Sequence, residues 1–375
     1  MSKKLVFFEA IAVLVGTIIG AGILGIPYVV AQSGFLTGLV VLIVIAGAMM
    51  LLNLLLGEMV LSTKNRYQLS GYVAKYLGPW GKYLMLFFTI FSFSGALLAY
   101  LIGEGKVLAS LTGGSAWLYS LLFLLFGAVL IYLGLAVVKR LELVMTLAIL
   151  FIVLIIGLWG FNLVNLDNLA SFSWQKLMIP YGVIFFAMSG ISAIPHLRFV
   201  LKGREKSVKK AIIIGVLIPF GVYLLFTLVT VGVSGFKTTE IATIGLGRAI
   251  GEIMIVIGNL FAFFTMATSF LTLGLALKET YYFDLKLSYK LSWFLTCFPP
   301  LLVFLLGLHN FVKVIAIVGA VGGGLEGLLI LAAYLKFKTL KKTERTPEYR
   351  LSVPVAVIFL LWLMFLAGAV YTLVY

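Results

Sequence analysis

Charge is what this sequence has least of. Of its 375 residues only 11% are Asp, Glu, Lys or Arg, while 63% are hydrophobic. A soluble domain carries about 25% charged residues, so a water-soluble globule is excluded and an integral membrane protein is expected. Cysteine is almost missing too. The single Cys297 rules out an intrachain disulfide and supplies no metal cluster. Histidine occurs twice, His196 and His309, with no His-Glu-x-x-His spacing, which removes metal-dependent hydrolysis. No P-loop is present, so no ATP site is expected. Acids number 13 against 28 basic residues, a net charge of +15. The basic residues sit between apolar runs and not on one face, which is the bias of cytoplasmic loops and not of a nucleic-acid surface. The start, Met-Ser-Lys-Lys, runs into an apolar segment too long for a signal peptide and without a small-x-small cleavage site, so a retained first helix is expected.

What is present in quantity is long apolar runs. A span needs about 20 apolar residues, and eleven stretches qualify: 5–31, 35–61, 83–103, 116–138, 142–163, 177–199, 211–233, 252–277, 291–308, 312–335 and 352–374. The expected fold class is an all-α integral membrane protein forming one transmembrane domain. Counting alternate loops from the N-terminus, 23 of the 28 basic residues fall on one side and 5 on the other. That asymmetry predicts a cytoplasmic N-terminus and, after eleven crossings, an extracellular C-terminus. Inner residues 67–77 place Leu69, Tyr72, Val73, Tyr76 and Leu77 on one helical face before Gly78-Pro79, the pattern of an interfacial helix. Outer residues 234–251 are long enough for a lid.

Two of the runs are interrupted. Gly20-Ala21-Gly22-Ile23-Leu24-Gly25-Ile26-Pro27 puts three glycines and a proline where the first span should continue. Ser189-Gly190-Ile191-Ser192-Ala193-Ile194-Pro195 repeats the frame in the sixth span. Interrupted segments at matching positions of two halves point to the binding site of an inverted-repeat transporter. The first half is 5–163 and the second 177–335, with a linker at 336–350 and an added eleventh helix at 352–374. Freed N–H groups at the start of a second half-helix suit a carboxylate, and freed carbonyls suit a cation. The alternative at either break is a proline kink packed against a neighbour. Candidate substrate contacts are Gly20, Ala21, Gly22 and Ile23 on the first span, and Phe185, Phe186, Met188, Ser189 and Ile191 on the sixth. The two Phe and Met188 can line a pocket for an apolar side chain, or simply fill the core.

Three further groups can carry chemistry. Thr265, Thr268 and Ser269 share one face of the eighth span, suited to Na⁺ if their hydroxyls do not bond back to their own helix. Glu326 lies mid-span among Gly322, Gly323, Gly324 and Gly327, a gate or proton relay unless it is a packed neutral carboxyl. Glu58, near an inner end, is expected in an ion pair; Glu104 and Lys106, near an outer end, are expected in water. Gly232-Val233-Ser234-Gly235 with His309 echoes an intramembrane serine protease, a short pattern that recurs by chance in glycine-rich chains. His196 is expected to cap its helix.

The run 20–28, Gly-Ala-Gly-Ile-Leu-Gly-Ile-Pro-Tyr, resembles the first-helix motif of the amino acid/auxin permease family, in the amino acid–polyamine–organocation superfamily. The run 69–78 is similar to that family's first inner loop. The aromatic and hydroxy amino acid permease branch is echoed by Ser189–Pro195, by Ile214-Gly215-x-x-Ile218-Pro219 with Tyr223, by Ala267–Leu271 and by Phe298-Pro299-Pro300. The resemblance implies a leucine-transporter-like 5+5 inverted repeat with discontinuous helices 1 and 6, alternating access and an amino-acid substrate. It implies carbonyls of Gly16 and Ile19 joining Thr265, Thr268 and Ser269 around Na⁺, and Ser94 and Tyr100 on helix 3 facing the substrate. The family holds proton- and sodium-coupled members. No lysine stands mid-span in 142–163, which favours Na⁺ over H⁺. The expected function is cation-coupled import of a neutral, apolar or aromatic amino acid at the cell membrane, with exchange or uniport on the same fold as the alternative. No cofactor beyond the coupling ion is expected, and no oligomeric state follows.

Overall fold

The computed structural model describes residues 3–134, 149, 151–340 and 344–374. Every regular element among them is helical: α1 (Lys3–Ile18), α2 (Gly22–Ser33), α3 (Phe35–Leu61), α4 (Leu69–Thr112), α5 (Ala116–Leu133), α6 (Phe151–Leu163), α7 (Tyr181–Met188), α8 (Ile194–Val200), α9 (Val208–Ser234), α10 (Ala242–Ile250), α11 (Glu252–Glu279), α12 (Tyr289–Leu305), α13 (Phe311–Ile317), α14 (Gly324–Leu340) and α15 (Val355–Val374). Helices are the outcome physics allows, because a chain in hydrocarbon must satisfy its backbone polar groups internally.

Among the described residues eight helices are long and apolar enough to cross a bilayer, or nine with the bent pair α1–α2 taken as one span. Two more, α6 and α12, are apolar but shorter. The seventeen residues of α12 reach about 26 Å, against a hydrocarbon core of about 30 Å. The expected fifth span, 142–163, falls partly outside the described residues, as do Lys139, Arg140, Lys341 and Lys342 of the charge count. Phe311–Leu340 is the most enclosed span and Val355–Val374 the least, so α15 lies at the periphery.

Gly78 sits at φ 78° inside α4 and turns the chain between the 69–77 segment and the long span, a conformation a residue with a Cβ resists. The apolar face of that segment lies against protein and not along a bilayer surface. Leu69, Tyr72, Val73, Tyr76 and Leu77 are buried, and the Tyr76 ring packs edge-on against Phe337 of α14 at 5.5 Å. Residues 234–251 fold into a 3-10 turn and α10, which packs on α9, α11 and α2.

One end of the molecule is rich in basic residues and closely bonded. Helix C-termini leave four carbonyls without intrahelical partners; at α3 Ser62 and Thr63 cap Glu58 O and Met59 O, and the end of the helix and the turn after it are also bonded from outside. Arg198 of α8 donates to Val60 O at 2.9 Å and Thr63 O at 2.6 Å. The backbone N–H groups of Glu344 and Arg345 reach Ser62 O at 3.2 Å. Tyr349 Oη donates to Leu54 O at 2.8 Å. The stretch expected as a linker is thus a strap bound to α3. Glu58 is paired as expected, with three donors: Lys338 Nζ at 2.5 Å, Tyr334 Oη at 2.8 Å and Leu351 N at 3.1 Å.

Candidate functional site

Two spans come apart. The axes of α1 and α2 differ by 53° across Ile19–Ala21. Helix α7 ends at Met188, Ser189 is extended, and α8 begins at Ile194 with Pro195 in its first turn, where a missing N–H costs nothing. Each break meets the other. A Cβ on Gly22 would stand 2.5 Å from the Cβ of Ala187, and one on Gly190 would stand 2.7 Å from Ile18 Cγ1. Only hydrogen fits at the Gly22 crossing.

The freed backbone is partly claimed by one side chain. Tyr223 of α9 places its hydroxyl 2.7 Å from Ile18 O and 3.0 Å from Ala187 O, the carbonyls at the ends of the two first half-helices. With one proton it serves one carbonyl at a time. The Gly20 N–H faces the same hydroxyl. Among the described residues no backbone acceptor takes the N–H groups of Ala21, Gly22, Gly190, Ile191 or Ser192. These donors open the second half-helices, where an anion is favoured.

A cavity lies between the breaks. Of the expected substrate contacts, Gly20, Gly22, Tyr100, Phe186, Ser189 and Ile191 line it. Ala21, Ile23, Phe185 and Met188 do not, and all four side chains are fully buried. Phe185 packs edge-on against Phe365 of α15 at 5.1 Å. Adjacent helical residues diverge by about 100°, so with Phe186 on the cavity Phe185 turns to the core. Ser94 is also displaced: it bonds the Tyr281 hydroxyl and lines none of the three cavities described here. Helix α4 presents Ser92, Phe93, Ala96 and Tyr100 instead. Tyr100 stands where it was expected; Ser94, two residues past Ser92, is turned about 200° around the axis from it.

A second cavity joins Gly16 and Ile19 of the first break to Thr268 and Ser269 of α11. Thr265 is absent from its lining and donates to Phe261 O at 2.7 Å. Thr268 likewise bonds back to its own helix, to Phe264 O at 2.8 Å, so both threonines follow the alternative named from the sequence; the lone pairs of Thr268 alone still face the cavity as acceptors. Ser269 bonds the Tyr100 hydroxyl. A third cavity opens toward the basic end past Thr89, His196 and Asp284. His196, expected as a cap, lines the second and third cavities. Glu326 is shared by the first and third, and its Oε1 has no partner.

Several participants escaped the sequence reading. A π-helical turn, Val318–Gly323, forms one wall through Val318, Gly319 and Gly323. The triple glycine at 322–324 was its signal, since such turns interrupt regular pairing and gather at functional sites. Ser192 and Leu273 also line the cavity. Glu104 is corrected outright: it is fully buried with neither carboxyl oxygen partnered, while Lys106 pairs with Glu240 at 2.5 Å. Glu240 also accepts from Asn310 Nδ2 at 3.0 Å, tying the residues before α10 to α4 and to the cap of α13. Lys278, at the end of α11, is buried and donates to Ile131 O at 2.6 Å. His309 Nε2 sits 2.9 Å from Phe304 O, so that ring is engaged away from Ser234. Among the described residues no cluster of His, Cys, Asp or Glu could hold a metal.

Comparison with known proteins agrees with this architecture. The chain is 23% identical over 361 residues to glutamine transporter 2 of Aliivibrio fischeri, covering 90% of each chain. It is 26% identical over 326 residues to tyrosine-specific transport system 1 of Haemophilus influenzae, covering 81% of each. Residues 3–374 match the tryptophan/tyrosine permease family from end to end. The chain therefore belongs to the tryptophan/tyrosine permease family, a multi-pass membrane permease and not an enzyme.

Proposed function

We propose that this permease imports a neutral amino acid by cation-coupled symport, cycling by alternating access. The observation that carries the reading is the pair of facing helix breaks with unclaimed N–H groups around one cavity. The N–H groups of Ala21 and Gly22, with those of Gly190–Ser192, take the α-carboxylate. The carbonyls shared by Tyr223 take the α-ammonium. Phe186 and Ile191, with Phe93 and Val318, surround an apolar or aromatic side chain. Both curated relatives carry the names of neutral amino acids, glutamine and tyrosine.

The arrangement fits a leucine-transporter-like 5+5 inverted repeat of the amino acid–polyamine–organocation superfamily. On that reading α6 and α12 complete eleven spans, α15 being the added one. The basic end faces the cytoplasm of a cell membrane, with the N-terminus inside and the C-terminus outside. Cavities that widen toward that end are those of an inward-facing state, with α10 as the lid over the other side. Na⁺ is the favoured coupling ion, held by the carbonyls of Gly16 and Ile19 with the hydroxyls of Thr268 and Ser269. The unpartnered Oε1 of Glu326 supports a second reading, in which that carboxyl carries a proton. One charge falling through ~100 mV releases about 2.3 kcal/mol, enough for roughly 50-fold accumulation of a neutral solute.

Proteoliposome uptake of an amino-acid panel, under separately imposed Na⁺ and H⁺ gradients, tests this. Accumulation driven by one gradient is expected. Uptake that ignores both and depends on internal substrate would make the protein an exchanger.

A further inference from the structure

Glu104 of α4 has no exposed surface, and neither of its carboxyl oxygens meets a protein partner. It lines none of the three cavities described above. Its neighbours on the helix show what encloses it. Gly103 lies against Met266 of α11 and Phe311 of α13, and Gly105 against Ser120 of α5. Tyr100, one turn away, bonds Ser269 and lines the central cavity. Among the described residues no charged side chain acts on the carboxyl. Helices α2 and α5 contain no Asp, Glu, Lys or Arg, and Tyr119 of α5 is engaged with Thr112. Helix α11 carries charge only at its ends, as Glu252, Lys278 and Glu279. Lys313 of α13 and Arg248 of α10 are exposed, and Lys106 turns to Glu240.

Two more buried groups at the end away from the basic one share this condition. Asn259 Oδ1 of α11 and Thr243 Oγ1 of α10 have no partner, although Asn259 Nδ2 bonds Ser110 Oγ at 3.2 Å. Thr243 packs against Gly258, so the two lie close together. Burying a polar group without a partner is costly. Several such atoms under one lid point to a second state in which water reaches them. The bonds that hold the lid are few: Glu240 takes Lys106 Nζ at 2.5 Å and Asn310 Nδ2 at 3.0 Å. Tyr100, Glu104 and Val107 recur at i, i+4 and i+7 on one face of α4. An entrance that opens down to Tyr100 therefore uncovers Val107 and Glu104.

We propose that Glu104 is a proton-binding site of the outer entrance, taking a proton from the external solution as that side closes and returning it to the same side on opening. A carboxylate in water is ionised above about pH 4.3. Enclosed with no counter-ion and no hydrogen bond, it would be an unpaired buried charge, so closure binds one proton. The cavities that widen toward the basic end do not reach Glu104, which leaves the outer side as the route for that proton. External acid then favours the closed entrance and external base the open one, by at most about tenfold in their ratio per pH unit. This rests on the alternating-access reading above and adds a control by outer pH, separate from the cation that drives accumulation.

The reporter is Val107→Cys in a Cys297→Ser background, labelled from outside in proteoliposomes with a membrane-impermeant maleimide. Each rate is divided by that of the same protein carrying Glu104→Gln, which cancels the reagent's own pH dependence. As outer pH rises from about 5 to 8 at constant inner pH, the quotient should climb at least about threefold per unit over part of that range. Stepping inner pH at constant outer pH should leave it unmoved. A quotient flat in outer pH, or one that follows inner pH, overturns the proposal and leaves alternating access standing. Failure to label under every condition, with or without Glu104→Gln, would mean that the outer side never opens, and both readings fall. Should Val107→Cys not fold, the unaltered chain and Glu104→Gln are compared by exchange of one amino acid across the membrane. The quotient of their rates should again change with outer pH, and a constant quotient overturns the proposal.

Discussion

The basic end, gathered around α3, and the central cavity are both buried and both polar, yet they differ in how their polar groups are met. At the basic end Glu58 has three donors and the last carbonyls of α3 are filled by Arg198 and the strap. Around the cavity, the N–H groups of Ala21, Gly22 and Gly190–Ser192 meet no backbone acceptor, and Glu326 Oε1 is left open. Burial costs a polar group several kcal/mol unless something replaces water. A region that meets this cost internally holds the structure together. One that leaves it unmet is stable only with something from outside, and that is the physical signature of a binding site. Glu58 and Glu326 look alike as intramembrane acids; their neighbours separate them.

The contrast can be broken from either side. The largest effect is expected from Gly22→Leu, which drives a side chain into Ala187 where a Cβ has 2.5 Å. Uptake should fall more than about 100-fold, with the protein still monodisperse in detergent; unchanged uptake would remove the cavity from the transport path. Glu58→Ala strikes the satisfied region. It strands the buried Tyr334 hydroxyl and the Leu351 N–H and takes the ion-pair partner from Lys338, which keeps Leu351 O, and should lower stability by roughly 1–3 kcal/mol. A melting temperature unmoved by that change would show the pairing to be incidental. Tyr223→Phe probes the seam between the two regions by removing the one hydroxyl that serves both breaks. The expected loss is about 1 kcal/mol, and binding should weaken more than melting does. Equal losses in the two measurements would make Tyr223 purely a packing residue.

The smallest effect lies in the strap. Glu344 accepts a hydrogen bond from the Lys75 ammonium and another from the Lys64 N–H, which hold its carboxyl below the usual carboxylate range. A depressed carboxyl stabilises the fold above its unfolded value of about 4.3. That contribution fades as pH falls through the lower folded value. Glu344→Gln should therefore lower stability slightly at neutral pH and flatten the acid limb of the melting curve below about pH 4 by the same small amount, the difference between the two proteins closing in acid. Identical acid limbs would place the group in free solution.

Some of this was legible in one dimension. Apolar runs gave the spans because twenty apolar residues have few other uses, and glycine with proline marked both breaks because neither sustains a helix. Other features were not legible for reasons of geometry. A one-residue error in helical phase turns a side chain through about 100°, so Ser94 was expected where Ser92 and Phe93 stand, and Phe185 where only Phe186 reaches the cavity. Glu104 was expected in water because its position near a span end said nothing of what covers it. Tyr223 was one residue of a motif until folding brought two breaks, far apart in sequence, within reach of its hydroxyl.

The sequence by itself determined that the chain is helical, membrane-bound, basic at one end and interrupted at two matching points. Those properties are local, written in composition and backbone chemistry over a few turns. Which buried carboxyl is paired and which is left open was decided only by tertiary structure. A hydrogen bond between α3 and α14 joins residues some 280 positions apart, and no period or motif in the chain encodes that distance.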